Sequence, residues 1–177
     1  MPLVIIALVM AAVLGGGVSM EANKALPGDA LYPFKIGVNE RAEGYLARGD
    51  AAKAHVDVEL AEARLDEAQA LARENKLSVA AQSQLTQNFN AHVAEATALG
   101  KKLESQKDYQ SATALAISLQ GMLKAEVQLL QDASSQGSVA RQVSLVPILV
   151  EARKNLAAAA STSIDLSAQA VAANVKI

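Results

Sequence analysis

The sequence predicts an all-α protein in which a hydrophobic N-terminal helix precedes an antiparallel up-and-down bundle of four to five helices. Alanine, the strongest helix former, accounts for 37 of the 177 residues. Apolar residues recur at alternating steps of three and four along most of the chain, and no segment sustains the alternation typical of a strand. The links between the periodic segments are a few residues long, which favours antiparallel packing of consecutive helices.

The first 20 residues carry no charged side chain, and a dense apolar run extends from Leu3 to Leu14. As a helix this run would be about 18 Å long, whereas the core of a bilayer is about 30 Å thick. Its length is typical of an export signal, and Gly17 and Ser19 are small residues spaced for cleavage after Ser19. No Lys or Arg precedes the run, which is unusual for a signal peptide.

Four interpretations of residues 1–20 are open: a cleaved export signal, a retained membrane anchor, a helix in the core of an extracellular filament, and a buried helix of the globular domain. The first three place the rest of the chain outside the cytoplasm, in the periplasm, on the cell surface or secreted. We predict a hydrophobic segment over residues 1–20, a linker and turn over 21–29, and a helical bundle domain over 30–177. If residues 1–20 are retained, they are the expected contact with a membrane.

The bundle is predicted to start with a helix that has Pro33 in its first turn and runs to about Arg48. Gly49 then ends this helix, and Asp50 is the expected N-cap of the next, which runs to about Asn75. A buried apolar stripe in this second helix is predicted at Ala54, Val58, Ala61, Leu65, Ala68 and Ala72. The solvent-facing side is predicted to carry Lys53, Asp57, Glu62, Arg64, Glu67 and Arg73.

Three further helices are predicted, with similar spacing of their apolar residues. The first begins near Ser78 and has a coiled-coil-like seam at Leu85, Phe89, His92, Ala96, Leu99 and Leu103. The second is capped by Asp108, ends near Ser134 and has apolar residues at Ala112, Ala116, Leu119, Leu123 and Val127 or Leu130. The last begins near Ser138 and carries Val139, Val143, Val146, Val150, Leu156, Ile164 and Val171. Pro147 predicts a kink or a break within it.

The composition excludes several kinds of chemistry. The chain has two His and no Cys, which excludes thiolate metal sites, disulfides and cysteine nucleophiles. A net charge of -2 and the lack of basic runs give no case for nucleic-acid binding. The glycine-loop, nucleophile-elbow and zinc-protease motifs are missing from the sequence. We therefore predict no catalytic residue, no cofactor and no metal site.

Two groups of residues are candidate sites. His55, Glu59 and Glu62 could share one helix face, but their position beside the predicted buried stripe indicates a solvated surface. His92 and Glu95 are one helical turn apart, and this pair is the only place where we would look for an active site. The seam spacing predicts that His92 is a core or boundary residue, with a pH-responsive packing role as the alternative.

A specific resemblance is carried by Ala25-Leu26-Pro27-Gly28-Asp29-Ala30-Leu31-Tyr32-Pro33-Phe34-Lys35 after the hydrophobic segment, and by Leu60-Ala61-Glu62-Ala63-Arg64-Leu65-Asp66-Glu67-Ala68. Over residues 25–75 the chain resembles the bacterial family known as domain of unknown function 5667. The resemblance implies an extracytoplasmic helical domain that bears a signal or a membrane anchor and is sometimes attached to anti-sigma-factor-like regions. The family supplies no catalytic residues.

The turn element of this resemblance also has a physical interpretation. Pro27, Gly28 and Asp29 can form a tight turn, and Pro33 can start the following helix. Leu31 and Tyr32 are then expected to dock on the bundle, as a structural latch between the anchor and the domain. The alternative is a partner-binding epitope that uses Tyr32 and Lys35.

We interpret the whole sequence as a non-enzymatic extracytoplasmic helical bundle with a structural or protein-interaction role, in which a protein partner or self-association is possible. One alternative is a subunit of an extracellular filament whose hydrophobic N-terminal helix packs in the filament core. A second alternative is a module that senses envelope stress or a metal. Apolar residues left exposed along one face of the final helix would favour partner binding.

Overall fold

A computed structural model describes residues 17–135 and 138–174. The predictions for residues 1–16 lie outside this range. Within it the chain is all-α, with helices joined by turns and no strand. The described residues fall into two compact units that are divided between Leu46 and Ala47.

The first unit contains short helices and the turn element. Helix α1 spans Gly17–Asn23, so it reaches into the segment that the sequence assigned to a linker. After the turn, a continuous helical segment is formed by α2 (Tyr32–Phe34), a π-helix (Lys35–Asn39) and α3 (Glu40–Leu46). Pro33 lies in the first turn of α2, as predicted, because a proline there removes no helical hydrogen bond.

The second unit is a bundle of four long helices: α4 (Asp50–Arg73), α5 (Val79–Ser105), α6 (Tyr109–Ser135) and α7 (Val139–Asn174). Two contacts show that α4 and α5 are antiparallel, because Asp50 pairs with Lys102 whereas Asp57 pairs with His92. Helix α7 runs parallel to α5, since Gln82 donates to the Ser144 carbonyl and Asn155 donates to Asn90.

The caps explain where these helices begin and end. The Ser78 hydroxyl accepts from the Ala81 amide, and the Asp108 carboxylate accepts from the Ser111 amide. Helices α4 and α5 end just before Asn75 and Lys107, whose positive φ angles of 55° and 64° turn the chain sharply. Asp50 is not the N-cap that the sequence predicted. Gly49 occupies that position, and the Asp50 carboxylate instead binds Lys102 and Gln106.

The predicted stripes of α4 and α6 form much of the core. All six predicted stripe residues of α4 are buried, at no more than 4% exposure. The predicted apolar residues of α6 are buried as well, including both Val127 and Leu130. In α5 the buried seam contains Leu85, Phe89, Ala96 and Leu103, whereas His92 lies at its margin.

Two residues of α4 were assigned to the wrong face. Arg64 and Glu67 were predicted to face solvent, but they are 0% and 4% exposed. The Arg64 Nη2 lies 3.5 Å from the Glu67 Oε1, so the two charges compensate each other one helical turn apart. Helix α4 contacts three other helices, and its buried surface is therefore wider than a single stripe.

Of the kink or break predicted at Pro147, the break does not occur. Helix α7 continues through Pro147 without a break. Pro147 lies on the exposed side of the helix, where water can bind the carbonyl group that its missing N–H leaves unpaired. The core of α7 is supplied by other residues than those named from the spacing: Leu145, Ile148, Leu149, Ala152, Ala159 and Leu166.

Candidate interaction surface

Large aliphatic side chains cover the solvent side of α7. Their exposed fractions range from 49% at Val146 to 75% at Val139. We call this set the outer stripe, and its members are Val139, Val143, Val146, Val150, Ile164 and Val171. An ordinary surface helix is apolar on the core side and polar on the other, whereas α7 is apolar on both sides. A helix of this kind is typically covered on both faces.

The spacing of the outer stripe is that of a coiled-coil seam. Val143, Val150, Ile164 and Val171 are separated by seven, fourteen and seven positions, and the exposed Ala157 fills the gap between them. Val139 and Val146 lie four residues before Val143 and Val150, at the other apolar position of the heptad repeat. A heptad repeat with β-branched residues at its first position is the pattern that packs against another helix.

Few charges accompany the outer stripe. From Asn155 to Asn174 the only charged residue is Asp165, which is exposed. Nearer the start of α7 lie the exposed Arg153 and Lys154, and Lys154 is 3.4 Å from the half-buried Glu151 carboxylate. A partner that covers this face would therefore have to dehydrate few ionised groups.

Polar contacts fix the rotation of α7, so that the outer stripe stays on the outside. The Arg141 guanidinium donates to the carbonyl groups of Ala72 and Arg73, at 3.0 and 3.1 Å, and thereby satisfies the end of α4. Further along, Asn155 donates to Asn90 at 2.9 Å and the Ser163 hydroxyl donates to the Gln120 side chain at 2.9 Å. These contacts attach α7 to α4, α5 and α6 at three positions along its length.

The structure brings the predicted turn residues together. Gly28 has a φ of +103°, a conformation that favours glycine, and the Asp29 carboxylate accepts from the Leu26 amide at 2.8 Å. The Lys35 ammonium donates to the Ala25 carbonyl at 3.4 Å. Together with the buried Pro27, these contacts tie the two ends of the turn to each other.

The two hydrophobic residues at positions 31 and 32 of this turn differ in exposure. Tyr32 is 3% exposed, so its ring is not displayed on the surface as an epitope would be. Leu31, which was expected to dock, is 36% exposed. The docking of these residues on the bundle stays a prediction.

His92 pairs with a residue that sequence spacing could not identify. Its Nδ1 lies 2.9 Å from the Oδ1 of Asp57 on α4, whereas Glu95, the neighbour considered from the sequence, is exposed. The His92 and Asp57 side chains are 24% and 17% exposed. The pair thus joins α4 to α5 at the boundary of the core.

We expect the His92–Asp57 pair to contribute to stability and not to catalysis. His92→Leu and Asp57→Asn should each destabilise the chain, with a coupling energy of about 1 kcal/mol in a double-mutant cycle followed by urea unfolding. The matched control is His55→Leu, since His55 is exposed on the same helix as Asp57. A coupling energy near zero would contradict this interpretation.

A second polar pair lies inside the bundle. Gln69 on α4 donates to the Glu126 carboxylate on α6 at 2.9 Å, and both side chains are 4% exposed. The pKa of Glu126 is raised from 4.5 to about 7, mainly by burial and further by the negative charges of Asp66 and Glu62, while the Gln69 hydrogen bond acts in the opposite direction. Sequence reasoning missed this pair because its members are 57 positions apart.

One cavity inside the bundle has little room for a ligand. A cavity of about 80 Å³ lies between α5, α6 and α7 and is lined mainly by Ala and Leu side chains. Ligand pockets typically have volumes of about 300–1,000 Å³. The hydroxyl groups of Thr97 and Thr162 at its wall both donate to carbonyl groups of their own helices.

No three His, Asp or Glu side chains in this part of the chain are grouped closely enough to hold a metal ion. Within residues 17–135 and 138–174, none of the helices has the length and hydropathy needed to cross a bilayer.

Fold and surface together define an all-α bundle protein in which one helix has an uncovered apolar face. The chain belongs to the family described as domain of unknown function (DUF5667), whose model matches residues 24–144. Nothing among curated proteins or solved structures matches the chain. The family match ends near the start of α7, so most of the outer stripe lies beyond the matched residues.

Proposed function

We propose that this protein is a non-enzymatic helical bundle that acts outside the cytoplasm by binding another protein through the outer stripe of α7. The observation that carries the proposal is the exposure of six large aliphatic side chains on a helix whose other side is already buried. Isolated exposed apolar residues are common on proteins, but a contiguous apolar row marks an interaction site.

The free energy available from this surface is similar in size to the entropic cost of association. Complete burial of an exposed Val or Ile is worth about 1.5–3 kcal/mol, so covering these partly exposed side chains would supply roughly 5–11 kcal/mol. The loss of translational and rotational freedom costs about 4–15 kcal/mol. A stable complex therefore needs a partner that brings an apolar row of its own.

The proposed location is supported by the sequence and by the family resemblance. The first 20 residues are uncharged and mostly apolar, which is expected of an export signal or an anchor. Alkaline phosphatase, which is active only after export, should be active when fused after residue 177, and a β-galactosidase fusion should be inactive. The reverse result would contradict the proposed location.

The filament alternative has one supporting observation, the uncharged segment over residues 1–20, which could pack against copies of itself. Electron microscopy of sheared surface material, with mass spectrometry for residues 1–20, separates the two functions. Regular filaments that retain this segment would establish a structural polymer. Protein found only in membranes or in the exported fraction would favour the binding module.

The binding surface can be tested in living cells with a photo-crosslinking amino acid at position 150. We expect ultraviolet light to trap a discrete protein adduct at Val150, whose side chain is 53% exposed. The matched control is position 84, because Gln84 is exposed on α5, away from the outer stripe. Adducts at neither position, or equal adducts at both, would mean that the outer stripe is not the interface.

A further inference from the structure

We infer that the partner of the outer stripe is a different protein, which presents an amphipathic helix with a carboxylate opposite Arg153. The inference rests on the proposed function, because it names the partner of the same surface. It follows from the place of Arg153 in the heptad repeat, from its contacts in the bundle and from the positions of the acidic residues of α7.

Arg153 occupies an apolar position of the heptad repeat. It follows Val146 by seven residues and precedes Ala157 by four, just as Val146 precedes Val150 by four. Its side chain is exposed, so a helix that packs along the outer stripe covers it. A single polar residue at such a position selects partners, because a partner that leaves it unsatisfied binds more weakly.

The bundle holds the guanidinium of Arg153 in place but does not neutralise it. Gln131 on α6 accepts from its Nε at 3.2 Å and also from its Nη2. Gln131 thus engages one edge of the guanidinium, and the other edge can bind a carboxylate at two points. Within residues 17–135 and 138–174, no carboxylate forms an ion pair with Arg153. Because the guanidinium cannot lose its charge when it is covered, the carboxylate has to come from the partner.

A second copy of α7 does not supply this carboxylate. The acidic residues of α7 are Glu151 and Asp165. They directly follow Val150 and Ile164, and neighbouring residues on a helix do not face the same side. Both carboxylates therefore lie outside the heptad repeat in every register. A parallel pair of α7 helices would also bring two copies of Arg153 together, where they repel each other.

The residues on either side of Arg153 specify the rest of the partner helix. Towards the start of α7, the repeat consists of valines from Val139 to Val150, which suit a row of aliphatic side chains. Towards its end come Ala157 and Ala160, whose small side chains leave room for larger ones. The partner helix should therefore carry an Asp or Glu between an aliphatic row and a pair of bulkier apolar residues.

Photo-crosslinking at position 150 in living cells tests this inference with the natural partner. Val150 lies about one helical turn before Arg153, so its adduct reports contacts near this side chain. Arg153→Glu should lower the yield of the adduct about tenfold or more, because two carboxylates then face each other. Arg153→Gln removes the charge without reversing it and should lower the yield as well, so a folding defect in one variant does not decide the result. The matched control Lys101→Glu reverses an exposed charge on α5 and should leave the yield unchanged.

The trapped segment of the partner provides a second readout. Mass spectrometry of the adduct should locate the crosslink in a segment with an apolar heptad repeat and an Asp or Glu within about one helical turn. Replacement of that acidic residue by Lys should restore the adduct in the Arg153→Glu chain, because the pair is rebuilt with opposite polarity. A trapped segment that has no acidic residue there, or an exchange that restores nothing, would overturn the inference.

Failure of this inference is distinguishable from failure of the proposed function. An adduct formed equally by the natural chain and by Arg153→Glu would exclude the role of Arg153 and leave the binding function in place. An adduct that contains only this chain would identify a second copy as the partner and would also overturn the inference. If no adduct forms at position 150, both proposals fail.

Discussion

Replacement of Glu126 by Gln should stabilise the bundle at pH 8 by as much as about 3 kcal/mol and have little effect at pH 4.5. The pKa of Glu126 is raised to about 7 in the folded chain, first by burial and then by the charges of Asp66 and Glu62. The folded state therefore binds a proton that the unfolded state has already released. This contribution to stability is complete below pH 4.5 and is lost as the pH rises through 7.

A glutamine at position 126 can still accept the hydrogen bond from Gln69, but its side chain does not take up or release a proton in this pH range. Urea unfolding of the natural chain and the variant between pH 4.5 and 8 measures the difference. Asp66→Asn is the matched control, because removal of this exposed charge should shift the pH window downwards without changing the buried pair. The same pH dependence in Glu126→Gln as in the natural chain would disprove the role of Glu126.

Truncation of Phe89 should have the largest effect on folding. Phe89 is fully buried in α5, and Phe89→Ala should cost about 3–5 kcal/mol because it leaves a cavity in the core. That is a large part of the about 5–15 kcal/mol by which proteins of this kind are stable. Thermal and urea unfolding followed by circular dichroism would report the loss directly.

The control for this truncation is Val79→Ala on the same helix. Val79 is 82% exposed, so its truncation should change the stability by less than about 0.5 kcal/mol. Similar losses in the two variants would mean that Phe89 is not packed in the core as the structure has it.

The amino-acid sequence alone determined most of the helical framework. The long helices begin and end within a few residues of the predicted positions, because Ser78, Asp108 and the left-handed residues after α4 and α5 act locally. Periodicity alone identified the apolar stripes that α4 and α6 bury, but not the buried polar residues Arg64, Glu67 and Glu126. The turn over residues 25–35 and the family resemblance were also readable from consecutive residues.

Only the tertiary structure decided which side of α7 faces the core. Both sides of this helix carry apolar residues at helical spacing, and periodicity cannot distinguish them. The structure buries Leu145, Ile148 and Leu166 and leaves the outer stripe exposed. The sequence spacing pointed to Val143, Val150 and Ile164 because these residues belong to a heptad repeat. The other helices of the bundle do not cover that repeat.

The polar pairs were likewise decided by tertiary packing. His92 with Asp57 and Glu126 with Gln69 are joined across helices, and Arg64 and Glu67 are buried although their positions in the sequence are typical of a solvated face. A pattern within one helix specifies which residues share a side. The neighbouring helices decide how much of that side is buried and which charged groups lie against it. For this reason the exposed outer stripe and the buried Glu126 carboxyl group could be identified only from the folded chain.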